Sequence, residues 1–575
     1  MAESIISPGV FQRENDISFI QPAPTEVGAA IVGPTVKGPV EIPTIVTSYN
    51  DYSRKFGVTF EANSESKEFL TSLAVKSYFD QGGNSCLVSR VVPTAASWTN
   101  ATSTHVSSSN NLSVEPFVLK TLGKGAIYNN AEDADTISYL SDGSLESGSQ
   151  DNISWEIANV DASDGSFSLF IRRGDDNSSN KIILETYNNL SLDPNNANYV
   201  AKAIGNQVQT ISADGTAVSF TGDYLNKSNY IYVSAVNTKL LNYLGNDGVT
   251  VPAGYADKLP KNERGAFHNA VGNNAAAGAL FFGDISGVNT QGLAGTDYSK
   301  VLTLLSNKDD YQFNIISAPG LVDEFHGPQV DTIISLAESR GDCIAVVDLK
   351  GYGSTVAQAK VQAATLNSSY AAAYWPWLQV SSATGANVWV PASAVIPGVY
   401  AFTDGAAAPW FAPAGLVRGG LVGVLQAERK LTRTDRDTLY NGKVNPIATF
   451  PGTGIAVFGQ KTLQTKASAL DRVNVRRLLI ELKKFVGDQA KNLVFEQNTI
   501  ATRNRFLAAV NPYLENVTQR QGLYAHRVVM DDSNNTADVV DRNQLVGQIF
   551  IQPAKTAEFI VLDFVVEPTG ATFGA

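Results

Sequence analysis

Glycines and a nearby lysine form the first group of residues in this sequence whose spacing suggests chemistry. Gly454 and Gly459 enclose four residues and Lys461 follows, much as in a phosphate-binding loop. Such a loop needs its lysine directly after the second glycine and a helix behind it. Here Gln460 comes first, and the flanking runs "IATF" and "GIAVFG" both have the character of strands. We interpret the stretch as a strand–turn–strand corner whose glycines permit unusual φ angles or close approach.

A second glycine pair matches part of a dinucleotide-binding fingerprint. Gly351 and Gly353 follow the apolar run "CIAVVDLK" and precede the helical pattern "TVAQAKVQAATLN". The fingerprint also needs a third glycine, where Val356 stands, and an acidic residue about twenty positions later. Because both are missing, we interpret the pair as an ordinary turn between a strand and a helix.

Metal ligands and catalytic groups are scarce. Histidine and cysteine together supply six residues: His105, His268, His326, His526, Cys86 and Cys343. None has a neighbour at the spacing of a local zinc motif, and no G-x-S-x-G nucleophile motif occurs. The run Asp531–Asp541 lacks the glycine and glutamate of a calcium loop. We therefore assign no catalytic, cofactor-binding or metal-binding residue, although histidine-based acid–base catalysis is not excluded.

Composition and charge restrict the remaining classes. The 575-residue chain has a net charge of −12, which argues against general nucleic-acid binding. It contains no apolar run of about eighteen residues that would span a membrane, and its N-terminus lacks the features of a secretory signal. The scarcity of cysteine is typical of a reducing cytosol. One segment, 461–505, differs, since ten basic and four acidic residues give it a charge of +6.

The apolar periodicity predicts a multidomain, mixed α/β fold. Ala29–Val32 and "CLVSRVV" have the pattern of buried strands, with a helix over "FLTSLAVKSYF" between them. In 309–380, alternating strand and helix patterns predict parallel strands joined by right-handed crossovers. There, "AAAYWPWLQV" is expected to form one strand with its aromatic residues in the core. From about residue 93, polar turns separate short runs such as "FSLFIRR" and "KIILETY", which is typical of an inserted β-rich module.

Two helices and two extended ends complete this prediction. The run "RVNVRRLLIELKKFVGDQAKNLVF" has an apolar stripe made of Val475, Leu478, Leu479, Leu482 and Phe485. Its dibasic pairs, Arg476–Arg477 and Lys483–Lys484, are seven residues apart and lie on nearly one face. A second helix covers "ATRNRFLAAVNPYLENV". The first 24 residues have the pattern of an extended arm, and "VGQIFIQP" and "AEFIVLDFVV" are strand candidates near the C-terminus.

The order of several motifs resembles the contractile tail sheath proteins of bacteriophages and related injection devices. "WVPASAVIPGVYAFTD", "WFAPAG", "VNPIATFPGTGIAVFGQKTL", "RVNVRRLL" and "VFEQN" follow one another as in the C-terminal half of that family. "SPGV", "IVGPTVKGP" and "YFDQGGNSCLVSRVV" are similar to its N-terminal motifs, and "GKGAIYNN" and "ETYNNLSLDPNNANYV" to its inserted domain. Segments 97–111 and 212–295 match nothing, so their fold and role stay open.

The resemblance implies a structural protein that is not an enzyme and has no cofactors. Copies would stack as hexameric rings in an extended, metastable sleeve around an inner tube, and a baseplate signal would let the sleeve contract and drive the tube through a cell envelope. The partners would be further copies of the chain, the inner tail tube protein, and baseplate and tail terminator proteins. Nucleic acid and membrane insertion are not expected. The protein would lie in the virion tail after assembly in the host cytoplasm.

Two sets of residues would mediate assembly. We expect an acidic tube wall to be faced by Arg476, Arg477, Lys483 and Lys484. Extended arms would lend strands to neighbouring copies through Ser7, Pro8, Gly9, Val10 and Phe11 near one end and Phe564, Val565 and Val566 near the other. Alternatively, "AEFIVLDFVV" pairs within its own chain and only the residues after Pro568 form the C-terminal arm.

Together these patterns give a domain prediction. It comprises an N-terminal arm (1–24), the first part of an α/β core (25–92), an inserted β-rich outer domain (93–245), an α/β domain with parallel units (246–425), a C-terminal domain facing the tube (426–567) and a tail (568–575). Three alternatives stay open: the sheath of a phage-like injection system or bacteriocin, an α/β enzyme such as a hydrolase, and a surface adhesin.

Overall fold

A computed structural model describes residues 27–559, with the exception of 63–64, 104–114, 131–138, 213, 246, 274–284 and 453. The arm residues predicted at 7–11 and 564–566 lie outside the described residues. The strands of the described part are β1 (Val27–Gly33), β2 (Thr44–Val46), β3 (Thr59–Ala62), β4 (Glu65–Glu68), β5 (Cys86–Arg90), β6 (Asn100–Ser103), β7 (Phe117–Lys124), β8 (Ile153–Asp161), β9 (Ser166–Arg173), β10 (Ile183–Ser191), β11 (Val208–Ile211), β12 (Val218–Thr221), β13 (Ile231–Val236), β14 (Glu263–Gly265), β15 (Phe267–His268), β16 (Phe313–Val322), β17 (Ile344–Asp348), β18 (Ala371–Trp375), β19 (Leu378–Ser381), β20 (Asn387–Val390), β21 (Val424–Ala427), β22 (Val444–Phe450), β23 (Gly454–Val457), β24 (Leu523–Val529) and β25 (Gln548–Pro553). The helices are α1 (Tyr49–Phe56), α2 (Leu70–Asp80), α3 (Val200–Ile204), α4 (Ser299–Leu305), α5 (Asp323–Arg340), α6 (Val356–Ala363), α7 (Ile396–Ala406), α8 (Gly415–Arg418), α9 (Arg433–Asn441), α10 (Val473–Lys491), α11 (Ile500–Gln519) and α12 (Ala537–Asp541).

One eight-stranded sheet organises the fold, in the order β2-β5-β1-β16-β17-β18-β22-β23. Its strands from β5 to β22 are parallel, whereas the outer strands β2 and β23 are antiparallel to their neighbours. Three strands come from the N-terminal part and five from the second half of the chain. The predicted α/β core built from both parts, and its parallel strand–helix units, are therefore confirmed.

Both faces of this sheet are buried. Successive residues of a strand point to opposite faces, so Ala30 and Val32 of β1 join a core formed with α4, α5, α6 and α9. Ala29 and Ile31 join a second core formed with α1, α2, α7 and the first half of α10. Burial on two sides explains why the central strands are almost uninterrupted apolar runs.

The run "AAAYWPWLQV" departs from the prediction of a single strand. It forms β18 and β19, which belong to different sheets, because Pro376 has no N–H for a ladder of hydrogen bonds and breaks the strand. β19 pairs instead with β20 and β21 in a three-stranded sheet. The core position predicted for Tyr374, Trp375 and Trp377 is confirmed, since all three are buried.

The chain between β5 and β16 is rich in strands. Two four-stranded sheets, β10-β9-β8-β14 and β13-β7-β6-β15, enclose a separate core that includes Phe117, Trp155 and Phe167. The predicted runs "FSLFIRR" and "KIILETY" correspond to β9 and β10. These sheets continue past residue 245, and the large sheet continues past residue 425. The predicted domain boundaries themselves stay predictions.

Near the C-terminus, α10 and α11 pack on the two-stranded sheet of β24 and β25. Their shared core includes Leu478, Leu482, Phe506, Val510 and Leu514. The two helices predicted from apolar periodicity are thus confirmed. Among the described residues, no helix is long and apolar enough to cross a membrane.

Candidate functional site

The glycine-framed corner lies at the start of α10. β22 and β23 form an antiparallel hairpin, which confirms the strand–turn–strand interpretation. The ammonium group of Lys461 lies 4.2 Å from the centre of the Tyr440 ring. The backbone N–H of Val473, the first residue of α10, donates to the carbonyl of Gln460 at 2.8 Å. The corner therefore positions α10 against the large sheet.

The glycines between β17 and α6 already have acceptors for their N–H groups. Gly351 donates to a carboxylate oxygen of Glu324 at 3.3 Å, and Gly353 to one of Glu428 at 2.8 Å. These carboxylates occupy the direction from which a phosphate would approach, so the turn is an ordinary strand-to-helix connection. The described residues also contain no group of three or more His, Cys, Asp or Glu placed to hold a metal ion.

The two arginines of α10 lie inside the chain. Arg476 and Arg477 have only 3% and 4% of their surface exposed. Arg477 forms an ion pair with Asp404 of α7 and lies 4.7 Å from the centre of the Tyr400 ring, while Arg476 lies 4.0 Å from that of Tyr370. Burial by itself lowers the pKa of Arg477, but the attraction of Asp404 outweighs it and raises that pKa. Both arginines thus fasten α10 to the core.

The two lysines lie further along α10 and closer to its surface. Lys483 is exposed and Lys484 is half-buried. Lys483 donates to the hydroxyl of Tyr370, and Lys484 to the side-chain oxygen of Asn314, each at 3.1 Å. Contact with a tube involves a second protein, so the tube-facing role of the four basic residues stays a prediction. Their burial nevertheless divides them into an internal pair and a surface pair.

In the described part of the chain, only one face of the sheet of β24 and β25 is covered by other elements. Its inner face packs on α11 through residues such as Leu523, Ile549 and Ile551. Its outer face exposes Tyr524 and Phe550. Among the described residues, no third strand pairs with either outer edge. A two-stranded sheet is marginally stable alone and gains from additional strands, so both its edges can accept an extended peptide.

The segment after β25 returns to the start of α10. Glu558 accepts hydrogen bonds from Arg472 at 2.7 and 3.0 Å and from the Tyr440 hydroxyl at 2.7 Å. Burial by itself raises the pKa of Glu558, but its bonds with Arg472 and Tyr440 outweigh burial and lower that pKa. Glu558 therefore fixes the point from which residues 560–575 continue. Sequence reasoning missed this anchor, because Glu558 lies 86 residues from Arg472.

A cleft of about 1310 Å³ lies between the first part of the core and the β-rich region. Its lysines pair with carboxylates of the chain: Lys37 with Asp151 at 3.2 Å and Lys300 with Glu41 at 3.0 Å. These ion pairs join neighbouring parts of the fold.

In a comparison with known proteins, two family models match the second half of the chain. Residues 291–463 match the family model described as the phage tail sheath protein central domain, and residues 465–567 match the phage tail sheath C-terminal domain. The tail sheath protein of Vibrio phage KVP40 is 33% identical over 347 residues, which make up 56% of this chain and 51% of that protein. The tail sheath protein of Enterobacteria phage T4 is 40% identical over 187 residues, or 32% of this chain and 28% of that protein.

These alignments span about half, or less, of the length of the curated relatives. A crystal structure of a sheath tail protein from Listeria innocua covers 92% of this chain and 96% of its own, with 10% identity and a TM-score of 0.51. With only 10% sequence identity, this similarity supports the fold and nothing further. The resemblance inferred from the ordered motifs is confirmed.

Proposed function

We propose that this chain, whose residues 291–463 and 465–567 belong to the phage tail sheath family, is the structural subunit of a contractile tail sheath. Copies stack as hexameric rings around an inner tube in an extended, metastable sleeve. On a signal from the baseplate the sleeve contracts and drives the tube through a cell envelope. The free energy comes from additional contacts between copies in the shorter state, which is a shift between two packings, so no catalytic group is needed.

The observation that carries this proposal is the two-stranded sheet with open edges, β24 and β25. A strand from another copy would extend this sheet through main-chain hydrogen bonds. Its side chains on the same face would lie beside Tyr524 and Phe550, which are exposed in the single chain. Such a link holds copies together while the chain beside the lent strand bends, as a contracting sleeve requires.

The two ends of the chain are the strands that we propose to be lent. The 26 residues before Val27 reach at most about 94 Å when extended, which is far enough to cross a neighbouring domain. At the other end, Glu558 is fastened beside the start of α10 by Arg472. We assign the pairing segments to 7–11 and 564–566, whose consecutive apolar side chains would point to both faces of the extended sheet.

The orientation of the subunit follows from charge. We place α10 and the C-terminal domain toward the tube and the β-rich region, with its polar turns, on the outside. Lys483 and Lys484 then contact an acidic tube wall. Each exposed pair contributes only ~0–1 kcal/mol, so many such pairs guide polymerisation and still release during contraction.

Removal of the N-terminal arm tests the proposal. A chain lacking residues 1–20 should fold as a monomer, because the sequence of these residues has no core periodicity, but should form no cylinders under the electron microscope. Val10→Pro should weaken assembly in the full chain because proline removes a main-chain donor, whereas Val10→Thr keeps the donor and serves as the matched control. Cylinders of normal length from the truncated chain would disprove the role of the arm.

A further inference from the structure

A cleft of about 680 Å³, here called the β21 cleft, lies between β21 and the hairpin of β22 and β23. All four residues of β21 line it. β21 is an edge strand of the sheet β20-β19-β21, and no strand in the described part of the chain pairs with its second edge. Because an open strand edge offers main-chain N–H and C=O groups to an extended peptide, the β21 cleft is suited to a segment in extended conformation.

Polar and apolar groups are mixed in the lining of the β21 cleft. Phe402, Val422 and Leu425 are exposed there and can contact the side chains of a peptide. Gln81, which also lines the cleft, is only 4% exposed, and its Nε2 has no hydrogen-bond partner among the described residues. A buried donor without an acceptor is costly, and a main-chain carbonyl of a bound peptide would supply the acceptor. The lining thus offers contacts both to the side chains and to the backbone of a peptide.

The C-terminal segment of the same chain starts within reach of the β21 cleft. Gln460 donates a hydrogen bond to Glu558 at 3.1 Å, so the chain is held beside Gln460 shortly before its last residues. Ile455, which lines the cleft, precedes Gln460 by five residues, and five residues span at most about 18 Å. The eight residues that follow Glu558 reach up to about 29 Å when extended. Segment 560–566 can therefore enter the cleft of its own chain.

The sequence of segment 560–566, "IVLDFVV", is complementary to this lining. In a strand its side chains would alternate between two faces. Asp563 would lie on one face, and the other would consist of apolar residues alone: Ile560, Leu562, Phe564 and Val566. Lys430 is exposed and is the one charged residue among the described residues that line the cleft. Because Asp563 is the one charged residue of the segment, the charges of cleft and segment are opposite in sign and equal in number.

We propose that in the free subunit residues 560–566 pair with the second edge of β21, in the cleft of their own chain. Because the segment is tethered, its effective concentration at the cleft is on the order of millimolar, well above that of another copy in dilute solution. The inference rests on the proposed function, which assigns 564–566 to the sheet of a neighbouring copy. The segment cannot occupy both places, so it leaves the cleft when a copy joins the sleeve. Docking in the cleft thereby holds back the assembly of free subunits.

A reversible cross-link between the segment and the β21 cleft tests this docking. The full chain carries Leu562→Cys and Val422→Cys, and the native Cys86 and Cys343 are both buried. Dilute monomers are treated with a short bis-maleimide that has a cleavable disulfide linker, and linked peptides are identified by mass spectrometry. We expect an intrachain product. Leu562→Cys with Val249→Cys, an exposed position in the β-rich region, is the matched control and should give none.

The cross-linked chain also tests the competition between docking and assembly. It should form no cylinders until the linker is cleaved, and cleavage should restore the cylinder yield. Cylinders from the linked chain would overturn the competition. A missing product at Val422, or an equal yield at Val249, would overturn the docking and leave the sheath function intact. If the wild-type chain forms no cylinders, the proposed function falls, whereas the product in dilute monomers still decides the docking.

Truncation of the chain after Phe559 gives a second measurement, because it removes the docking segment and keeps Glu558. In full-length monomers, the amides of β21 that do not bond to β19 should be protected from hydrogen exchange, and they should lose this protection in the truncated chain. Amides of β20 should exchange equally in both chains. Equal exchange of the β21 amides in the two chains would contradict the inference.

Discussion

The eight-stranded sheet and the sheet of β24 and β25 differ in how their edges and faces are covered. In the large sheet, one edge is the three-residue strand β2, and the other, β23, is covered by its own chain: Leu421 N–H donates to Ile455 at 3.1 Å and Val457 N–H to Gly419 at 2.8 Å. Helices cover both faces. The small sheet has one exposed face, and no third strand pairs with it in the described part of the chain.

The large sheet is complete within one chain, whereas we propose that the small sheet is completed only in the assembly. Short or covered edges prevent pairing with other chains, so the large sheet can remain unchanged in monomer and polymer. Open edges invite pairing, and the small sheet is therefore the element whose stability should depend on neighbours. α10 joins the two, since Val473 and Ile480 pack on the large sheet while Leu478 and Leu482 pack beside the small one.

The largest effect should come from the largely buried ion pair of Arg477 and Asp404, which fastens α10 to α7. Arg477→Met leaves the carboxylate of Asp404 without its partner, and removal of one member of a buried pair costs about 3 kcal/mol. Urea unfolding of the monomer should show this loss. Lys483→Met, on the exposed part of the same helix, should change stability by less than about 0.5 kcal/mol. Equal losses for the two variants would mean that the division of α10 into an internal and a surface half is wrong.

A pH-dependent effect should follow from Asp348 at the end of β17. Burial raises the pKa of Asp348 to about 7, although hydrogen bonds from Ser393 oppose the shift. The folded chain therefore binds this proton more tightly than the unfolded chain, whose aspartates titrate near ~4. The stabilisation is present at low pH and is lost as pH rises to 7, by up to about 4 kcal/mol.

The Asp348→Asn variant isolates this contribution, because asparagine can still bond to Ser393 but does not titrate. Free energies of unfolding measured at several pH values between 5 and 8 should fall more steeply for wild type than for the variant. Parallel curves would show that Asp348 titrates normally and that the core around it is more open than the structure indicates.

A substitution on the exposed face of the sheet of β24 and β25 should change the stability of the monomer little and should strongly impair assembly. Phe550→Asp places a charge on a face that is exposed in the single chain, so monomer stability should change by less than about 0.5 kcal/mol. Cylinder formation should fail, because the charge would lie beside apolar side chains of the lent strand on the same face. Phe220→Asp makes the same change at an exposed position of the β-rich region and should assemble normally. Cylinders from the Phe550 variant would argue against pairing at this face.

The smallest effect per residue is expected at the surface lysines of α10. Reversal of Lys483 and Lys484 to glutamate should weaken co-assembly with tubes at low salt, since each pair contributes ~0–1 kcal/mol and is screened by ions. Monomer folding should be nearly unchanged. Sedimentation of sheath with purified tubes at two salt concentrations would measure this, and normal co-assembly of the double variant at low salt would contradict an electrostatic tube contact.

Local patterns in the sequence predicted much of the fold, and pairings between distant residues account for what they missed. The apolar stripe of α10 and the alternating units around β17 are visible within short windows. The burial of Arg477 depends on Asp404, 73 residues away, and the burial of Arg476 on Tyr370, more than 100 residues away. Periodicity placed both arginines on the face of the lysines and could not show which neighbours that face meets. The Glu558 anchor was missed for the same reason.

Amide hydrogen exchange of full-length chains, compared between monomer and assembled cylinders, tests the central claim most directly. If neighbouring copies complete the small sheet, the outward-facing amides of β24 and β25 should exchange quickly in the monomer and become protected in cylinders. Amides of β16 and β17 in the large sheet should be protected equally in both states. Unchanged exchange in β24 and β25 upon assembly would contradict the account.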